Sequence, residues 1–71
     1  MKFILVLHVC SFLTMQCPVS NVAPYEYVNW HHCALNGYRL AAEAMEKLPK
    51  DEVNREKLAI KFECKEVAVP L

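Results

Sequence analysis

The sequence predicts a small α+β domain of β-(β)-α-β order, in which one helix packs on a sheet of two or three strands. Three observations predict this fold: an apolar, β-branched run near the N-terminus, an apolar stripe at helical spacing in the middle, and an apolar–polar alternation near the C-terminus. The chain has 71 residues, enough for one small domain, so we treat residues 1–71 as a single unit.

The composition narrows the class of function. Hydrophobic residues make up 55% of the chain and there is one glycine, which excludes a disordered tail or a flexible linker. Eight basic residues balance eight acidic ones, so the chain lacks the basic excess of a protein that binds nucleic acid through its phosphates. We expect no nucleic-acid partner.

Residues 2–10 are predicted to form a strand that is covered on both sides, because this run is almost entirely β-branched or large and apolar. The same run resembles the start of a secretion signal. His8 interrupts it, however, and no small-x-small cleavage site follows. We prefer the buried strand, and keep a small exported or membrane-anchored protein as the alternative. The run is too short to cross a bilayer, so we expect no membrane partner.

A short second strand over residues 16–19 is predicted to follow a turn, with Pro18 confining it to a sheet edge. Residues 20–28 contain a further proline and two tyrosines, which is typical of a loop.

A helix is predicted over residues 30–48, with Asn29 as its N-cap and Pro49 ending it. Its apolar stripe consists of Trp30, Ala34, Tyr38, Ala41, Met45 and Leu48. Gly37 lies inside the helix, where it costs about 1 kcal/mol relative to alanine, and indicates a close approach to the sheet.

The last strand is predicted over residues 57–66, where apolar residues alternate with mostly charged ones. The apolar positions are Leu58, Ile60, Phe62 and Cys64. If this strand pairs in parallel with the first, the helix is their right-handed crossover.

Four cysteines in so short a chain favour disulfides, because a small core needs additional stabilisation. The parallel arrangement brings all four to one end of the sheet and predicts the pairs Cys10–Cys64 and Cys17–Cys33. Free buried thiols remain an alternative. So does a zinc site formed by Cys10, Cys17, Cys33 and Cys64, or by three of these cysteines with His8, His31 or His32 as the fourth ligand. The spacing lacks a C-x2-C pair, so we expect no cofactor.

The sequence predicts a binding protein and no enzyme. His31 and His32 precede Cys33, but neighbouring residues of a helix do not face each other, so neither histidine can activate that thiol. His8 is interpreted as a hydrogen-bonded histidine. One helix covers only one sheet face, so we expect a protein partner or a second copy of the chain to dock on the sheet. The interface residues predicted are Phe3, Leu5, Leu7 and Val9. The alternative left open is that residues 11–28 fold back over the exposed face.

Short motifs along the chain carry a resemblance. They are Val9-Cys10-Ser11, Cys17-Pro18, Asn29-Trp30 with Cys33, Gly37-Tyr38, Glu52-Val53-Asn54 and Lys61-Phe62-Glu63-Cys64. Together they resemble a group of short uncharacterised cysteine-containing proteins of marine bacteriophages and bacteria. The resemblance implies a phage-encoded accessory protein and no active site. If the disulfides form, we expect the protein in an oxidising compartment or a virion, and otherwise in the host cytoplasm.

Overall fold

The computed structural model describes residues 2–67, which form a three-stranded antiparallel sheet and two helices. The elements in chain order are β1 (Lys2–Ser11), β2 (Gln16–Tyr27), α1 (Trp30–Lys47), α2 (Lys50–Glu56) and β3 (Leu58–Val67). The strand order is β2-β1-β3, with β1 in the centre. The predicted α+β class, with a long helix on a small sheet, is confirmed.

The central strand β1 has large apolar side chains on both faces, as expected of a strand covered on both sides. On one face Leu5 is fully buried, and it forms the core with Tyr27 of β2 and Cys33 of α1. Partly buried side chains complete that core: Phe3, Ala23, Leu40, Phe62 and Cys64. The helix α1 covers this face of the sheet through Cys33, Gly37 and Leu40, beside the predicted stripe, whereas Trp30 and Tyr38 of that stripe are largely exposed.

The strand β2 is much longer than predicted and includes most of the segment expected to be a loop. Its two prolines concealed it, because proline cannot donate a hydrogen bond within a ladder. Both prolines fall where the β1–β2 register shifts: Pro18 between the pairs Val9↔Val19 and Ser11↔Gln16, and Pro24 between Ile4↔Glu26 and Val6↔Val22. At such bulges the strand needs no donor. As Pro18 predicted, β2 is an edge strand.

The full length of β2 reverses the direction of β3. Because β2 returns the chain to the end where β1 begins, α1 runs toward the opposite end and β3 runs back from there. The strands β1 and β3 are therefore antiparallel, in an uninterrupted register from Lys2↔Val67 to Ser11↔Leu58. The expected parallel pairing and crossover helix are wrong.

The helix α1 begins and ends close to the predicted residues. The Asn29 side chain accepts a hydrogen bond from the His32 backbone N–H at 2.7 Å, which confirms the predicted N-cap. The helix ends at Lys47, just before Pro49. The short helix α2 was not predicted; it ends at Glu56, and its C-cap Lys57 has a left-handed backbone with φ of 53°.

The disulfides join Cys10 to Cys17 and Cys33 to Cys64. The predicted pairs Cys10–Cys64 and Cys17–Cys33 are wrong, because an antiparallel β3 places Cys64 opposite Leu5, at the end of the sheet where α1 begins. Cys10 lies near the opposite end, beside Cys17. All four sulfurs are bonded, so they supply neither zinc ligands nor free thiols.

Candidate functional site

The predicted interface lies on the sheet face that α1 covers. Leu5 has no exposed surface, and the ring of Phe3 packs edge-on against Trp30 with centroids 5.9 Å apart. Leu7 and Val9 share this face by alternation and are partly buried. The Cys33–Cys64 disulfide determines which face is covered, because it bonds α1 to the residue opposite Leu5. The prediction of an interface at Phe3, Leu5, Leu7 and Val9 is therefore corrected.

The opposite, uncovered face carries a polar line across all three strands. The His8 Nδ1 atom of β1 lies 2.6 Å from Ser20 Oγ of β2. The His8 Nε2 atom lies 2.8 Å from Glu63 Oε1 of β3. His8 is thus a hydrogen-bonded histidine, as interpreted from the sequence. We call Ser20, His8 and Glu63 the cross-strand triad.

The charge of Glu63 determines which atoms of the cross-strand triad carry hydrogens. The hydrogen bond from His8 lowers the pKa of Glu63, and the nearby positive charges of Lys65 and Lys61 act in the same direction. A carboxylate accepts hydrogen bonds only, so His8 Nε2 must carry a hydrogen. In the neutral ring Nδ1 is then an acceptor, and Ser20 Oγ–H donates to it.

Three large apolar side chains are exposed together at the turn between β1 and β2. Phe12, Leu13 and Met15 are 64%, 60% and 77% exposed. The disulfide Cys10–Cys17 closes the loop that carries them. We call residues 12–15 the apolar tip. It extends from one end of a molecule that measures 47 × 20 × 17 Å.

The apolar tip is held by hydrogen bonds as well as by the disulfide. Ser11 Oγ donates to the carbonyl oxygen of Glu56 at 2.8 Å and accepts from the backbone N–H groups of Leu13 and Thr14. The Phe12 N–H donates to the Lys57 carbonyl oxygen at 3.0 Å. These bonds fix both sides of the turn, so the exposed side chains project from an ordered backbone.

Three aromatic residues lie close together in sequence around the start of α1, namely Tyr25, Tyr27 and Trp30, and they differ in burial. Tyr27 is buried, which raises its pKa, whereas Tyr25 and Trp30 are each 59% exposed. Tyr27 packs edge-on against His32 and both line a shallow groove of about 360 Å³.

The sequence analysis missed both the cross-strand triad and the apolar tip. Ser20 and Glu63 could not be associated with His8 because the register of both strand pairs was unknown. The tip had a visible signal: the six residues between Cys10 and Cys17 contain three large apolar side chains and no charge. A closed loop that cannot reach the core exposes such side chains.

Two further observations concern the described part of the chain. Within residues 2–67, neither helix has the length and hydropathy of a membrane-spanning segment. The same residues contain no group of three or more histidine, cysteine or acidic side chains placed to hold a metal ion.

No family model, curated protein or solved structure matches the chain. A proposal for its function therefore depends on its own residues.

Proposed function

We propose that this protein is a non-enzymatic binding domain that docks a protein partner through the apolar tip. One observation carries the proposal: three large apolar side chains project into solvent from a short loop that a disulfide closes. Exposed apolar groups of this kind typically mark interaction sites, because their burial is favourable by about 25 cal/mol per Å².

The order of the loop supports binding. A flexible segment loses conformational entropy when a partner immobilises it, and a loop that is already ordered avoids much of this cost. Ser11 fixes the loop from within, and the Phe12 N–H attaches it to the beginning of β3. The tip thus presents Phe12, Leu13 and Met15 in one arrangement.

The surroundings of the tip indicate the chemistry of the partner. Lys57 contacts Phe12 through its backbone, and its side chain is exposed at the base of the tip. Charged groups at the rim of an interface steer association. The partner that fits is a protein with an apolar cleft, wide enough for an aromatic ring, and a carboxylate at its rim.

The uncovered sheet face is a weaker candidate for docking. The side chains that His8 contacts across it are polar, and Val6 beside them is only 7% exposed. The tip, by contrast, brings three exposed large apolar side chains together in one short loop, whereas Val28, Trp30 and Tyr38 are exposed elsewhere on the chain. We therefore move the proposed interface from the sheet to the loop.

Origin and location are part of the proposal. The two disulfides are compatible with an oxidising compartment. The motif resemblance supports a phage-encoded accessory protein, acting in such a compartment or on a virion. The alternative of an exported protein with a cleaved signal is disfavoured, because the signal-like residues form the central strand β1.

Site-specific photo-crosslinking tests the proposal. A photoreactive phenylalanine analogue is placed at Phe12, and in a matched control at Val22, which is similarly exposed on β2. In extracts of the cells that produce the chain, we expect one protein to crosslink from position 12 and not from position 22. That protein is then purified, and its affinity for the chain is measured directly.

Leu13→Ser should lower this affinity at least tenfold, whereas Val22→Ser should leave it unchanged, because apolar anchors dominate interfaces. Equal crosslinking from both positions would contradict docking through the tip. So would binding of the tip to phosphatidylcholine vesicles in place of any protein.

A further inference from the structure

The cross-strand triad has the connectivity of an activated nucleophile. Ser20 Oγ is within hydrogen-bond distance of a ring nitrogen of His8, and the other ring nitrogen is bonded to Glu63. A hydroxyl, a base and a group that orients the base are the three parts by which such sites are recognised. The three residues lie on three different strands, so the pairing of the strands fixes their relative positions.

The protonation pattern suits proton transfer from Ser20. Glu63 holds the hydrogen of His8 Nε2, which leaves the lone pair of Nδ1 directed at the serine hydroxyl. A negative carboxylate at Nε2 also stabilises the imidazolium that forms when Nδ1 takes up a proton. Here Nδ1 faces the serine and Nε2 faces the carboxylate, which is the reverse of most serine triads. Either nitrogen of imidazole can act as the base.

We infer that Ser20 is a nucleophilic serine that accepts an acyl group from a small activated ester, in one stoichiometric step without turnover, as a property separate from docking through the apolar tip. Ser20 Oγ attacks the ester carbonyl carbon while its proton passes to His8 Nδ1. The bond between carbonyl carbon and alkoxy oxygen then breaks, and the leaving oxygen takes the proton from His8. The products are acyl-Ser20 and an alcohol, and no oxidant, reductant or metal is required.

The position of Ser20 sets the class of substrate. Ser20 is exposed on the edge strand β2, so a small electrophile reaches its Oγ without any rearrangement of the chain. An open face selects for a reactive leaving group more than for a particular acyl chain.

An alkyl fluorophosphonate probe tests the inference on the full oxidised chain. It reports the same nucleophile, because Ser20 Oγ forms a bond to phosphorus, fluoride leaves, and His8 takes the proton. We expect intact-mass analysis to show one adduct, and peptide mapping to place it on Ser20. Ser20→Ala should abolish it, whereas Tyr38→Phe, which removes another exposed hydroxyl, should not.

The histidine and glutamate variants test the mechanism. His8→Gln should slow labelling of Ser20 at least tenfold, since general bases typically contribute a factor of about 10² to 10⁴. His31→Gln is the matched control and should label at the wild-type rate. Glu63 acts through His8, as a positioning residue. Glu63→Gln should slow labelling, and Glu63→Asp should restore part of the rate.

The wild-type chain alone can overturn the inference. An absence of any Ser20 adduct, or an adduct spread equally over Thr14 and the tyrosines, would show that the triad is only a hydrogen-bonded contact. Labelling of Ser20 at an unchanged rate in a folded His8→Gln variant would show the same. If that variant does not fold, the labelling rates of Glu63→Gln and Glu63→Asp are compared. Wild-type rates in both would then overturn the inference.

Discussion

Cys33 in the first turn of α1 is bonded to Cys64, the residue that lies opposite Leu5 in the β1–β3 ladder. Cys33 and Leu5 are both fully buried. The disulfide therefore borders the core and joins the helix to the edge strand β3, beside Leu5 of the central strand. It fixes both the position of α1 along the sheet and the face that it covers.

The Cys33–Cys64 disulfide should contribute more to stability than Cys10–Cys17. Its cysteines are 31 residues apart, against 7 for the other pair. In the chain-entropy model these loops correspond to about 4 and about 2.5 kcal/mol. We expect Cys33→Ala/Cys64→Ala to lower the free energy of unfolding more than Cys10→Ala/Cys17→Ala does.

Urea unfolding of the two double variants, followed by circular dichroism, measures this difference. The Cys10→Ala/Cys17→Ala chain is the matched control, because it also loses two sulfurs but leaves the link between α1 and β3 intact. If the loss of Cys10–Cys17 were the costlier of the two, the Cys33–Cys64 disulfide would not be the main crosslink of the fold.

Gly37→Ala should destabilise the protein even though alanine favours helices. A Cβ at this position would overlap the ring of Phe62 on β3. Overpacking of this kind costs about 1–3 kcal/mol, and it outweighs the gain in helix propensity of about 1 kcal/mol. Thermal unfolding should show a lower Tm for Gly37→Ala.

The double variant Gly37→Ala/Phe62→Leu separates this cause from others. A leucine at position 62 vacates much of the ring volume, so the cost of Gly37→Ala should be smaller in that background. An equal cost in both backgrounds would mean that the glycine is required for a reason other than its contact with Phe62.

The sequence predicted those elements whose hydrophobic pattern is regular. The first strand, the long helix and the last strand lie within about one residue of their expected bounds. The strand β2 was predicted only at its start, because the bulges at Pro18 and Pro24 break the alternation that marks a strand. Because β2 was predicted too short, the predicted direction of β3 and the predicted cysteine pairs were both wrong.

The sites depended on information that local patterns do not contain. His8 was recognisable as a polar residue in an apolar strand, but its partners Ser20 and Glu63 follow only from the register of two strand pairs. The order of the turn depends on Ser11, whose hydroxyl bonds to a carbonyl 45 residues away. Contacts so distant in sequence have no local signature.

Asn29→Ala should lower the free energy of unfolding by about 1 kcal/mol, because the His32 N–H loses its side-chain acceptor. Asn29→Asp should retain most of the stability, since aspartate is an equally good N-cap. Asn36→Ala is the matched control: its amide donates to the His32 carbonyl on the helix surface. We expect little change from it in urea unfolding, and an equal loss from both asparagines would contradict the capping role.

The interaction between His8 and Glu63 should make stability depend on pH in the acid range. The hydrogen bond from His8 lowers the pKa of Glu63 below its ordinary value of 4.5, so the folded state favours the carboxylate. A lowered pKa in the folded state contributes stability above the unfolded-state pKa, and this contribution is lost as the pH falls through the folded-state pKa. Glu63→Gln should therefore be less stable than the wild type near neutral pH.

Urea unfolding from about pH 3 to pH 7 measures this dependence. The difference between the wild type and Glu63→Gln should be constant above about pH 5 and should shrink toward the acid end, as the wild-type carboxyl takes up its proton. Because His8 is the main cause of the lowered pKa, the same substitution in a His8→Ala background should give a smaller difference with a weaker pH dependence. A difference that is equally large in both backgrounds would place the effect of Glu63 on the nearby lysines, and the contact with His8 would then contribute nothing measurable to folding.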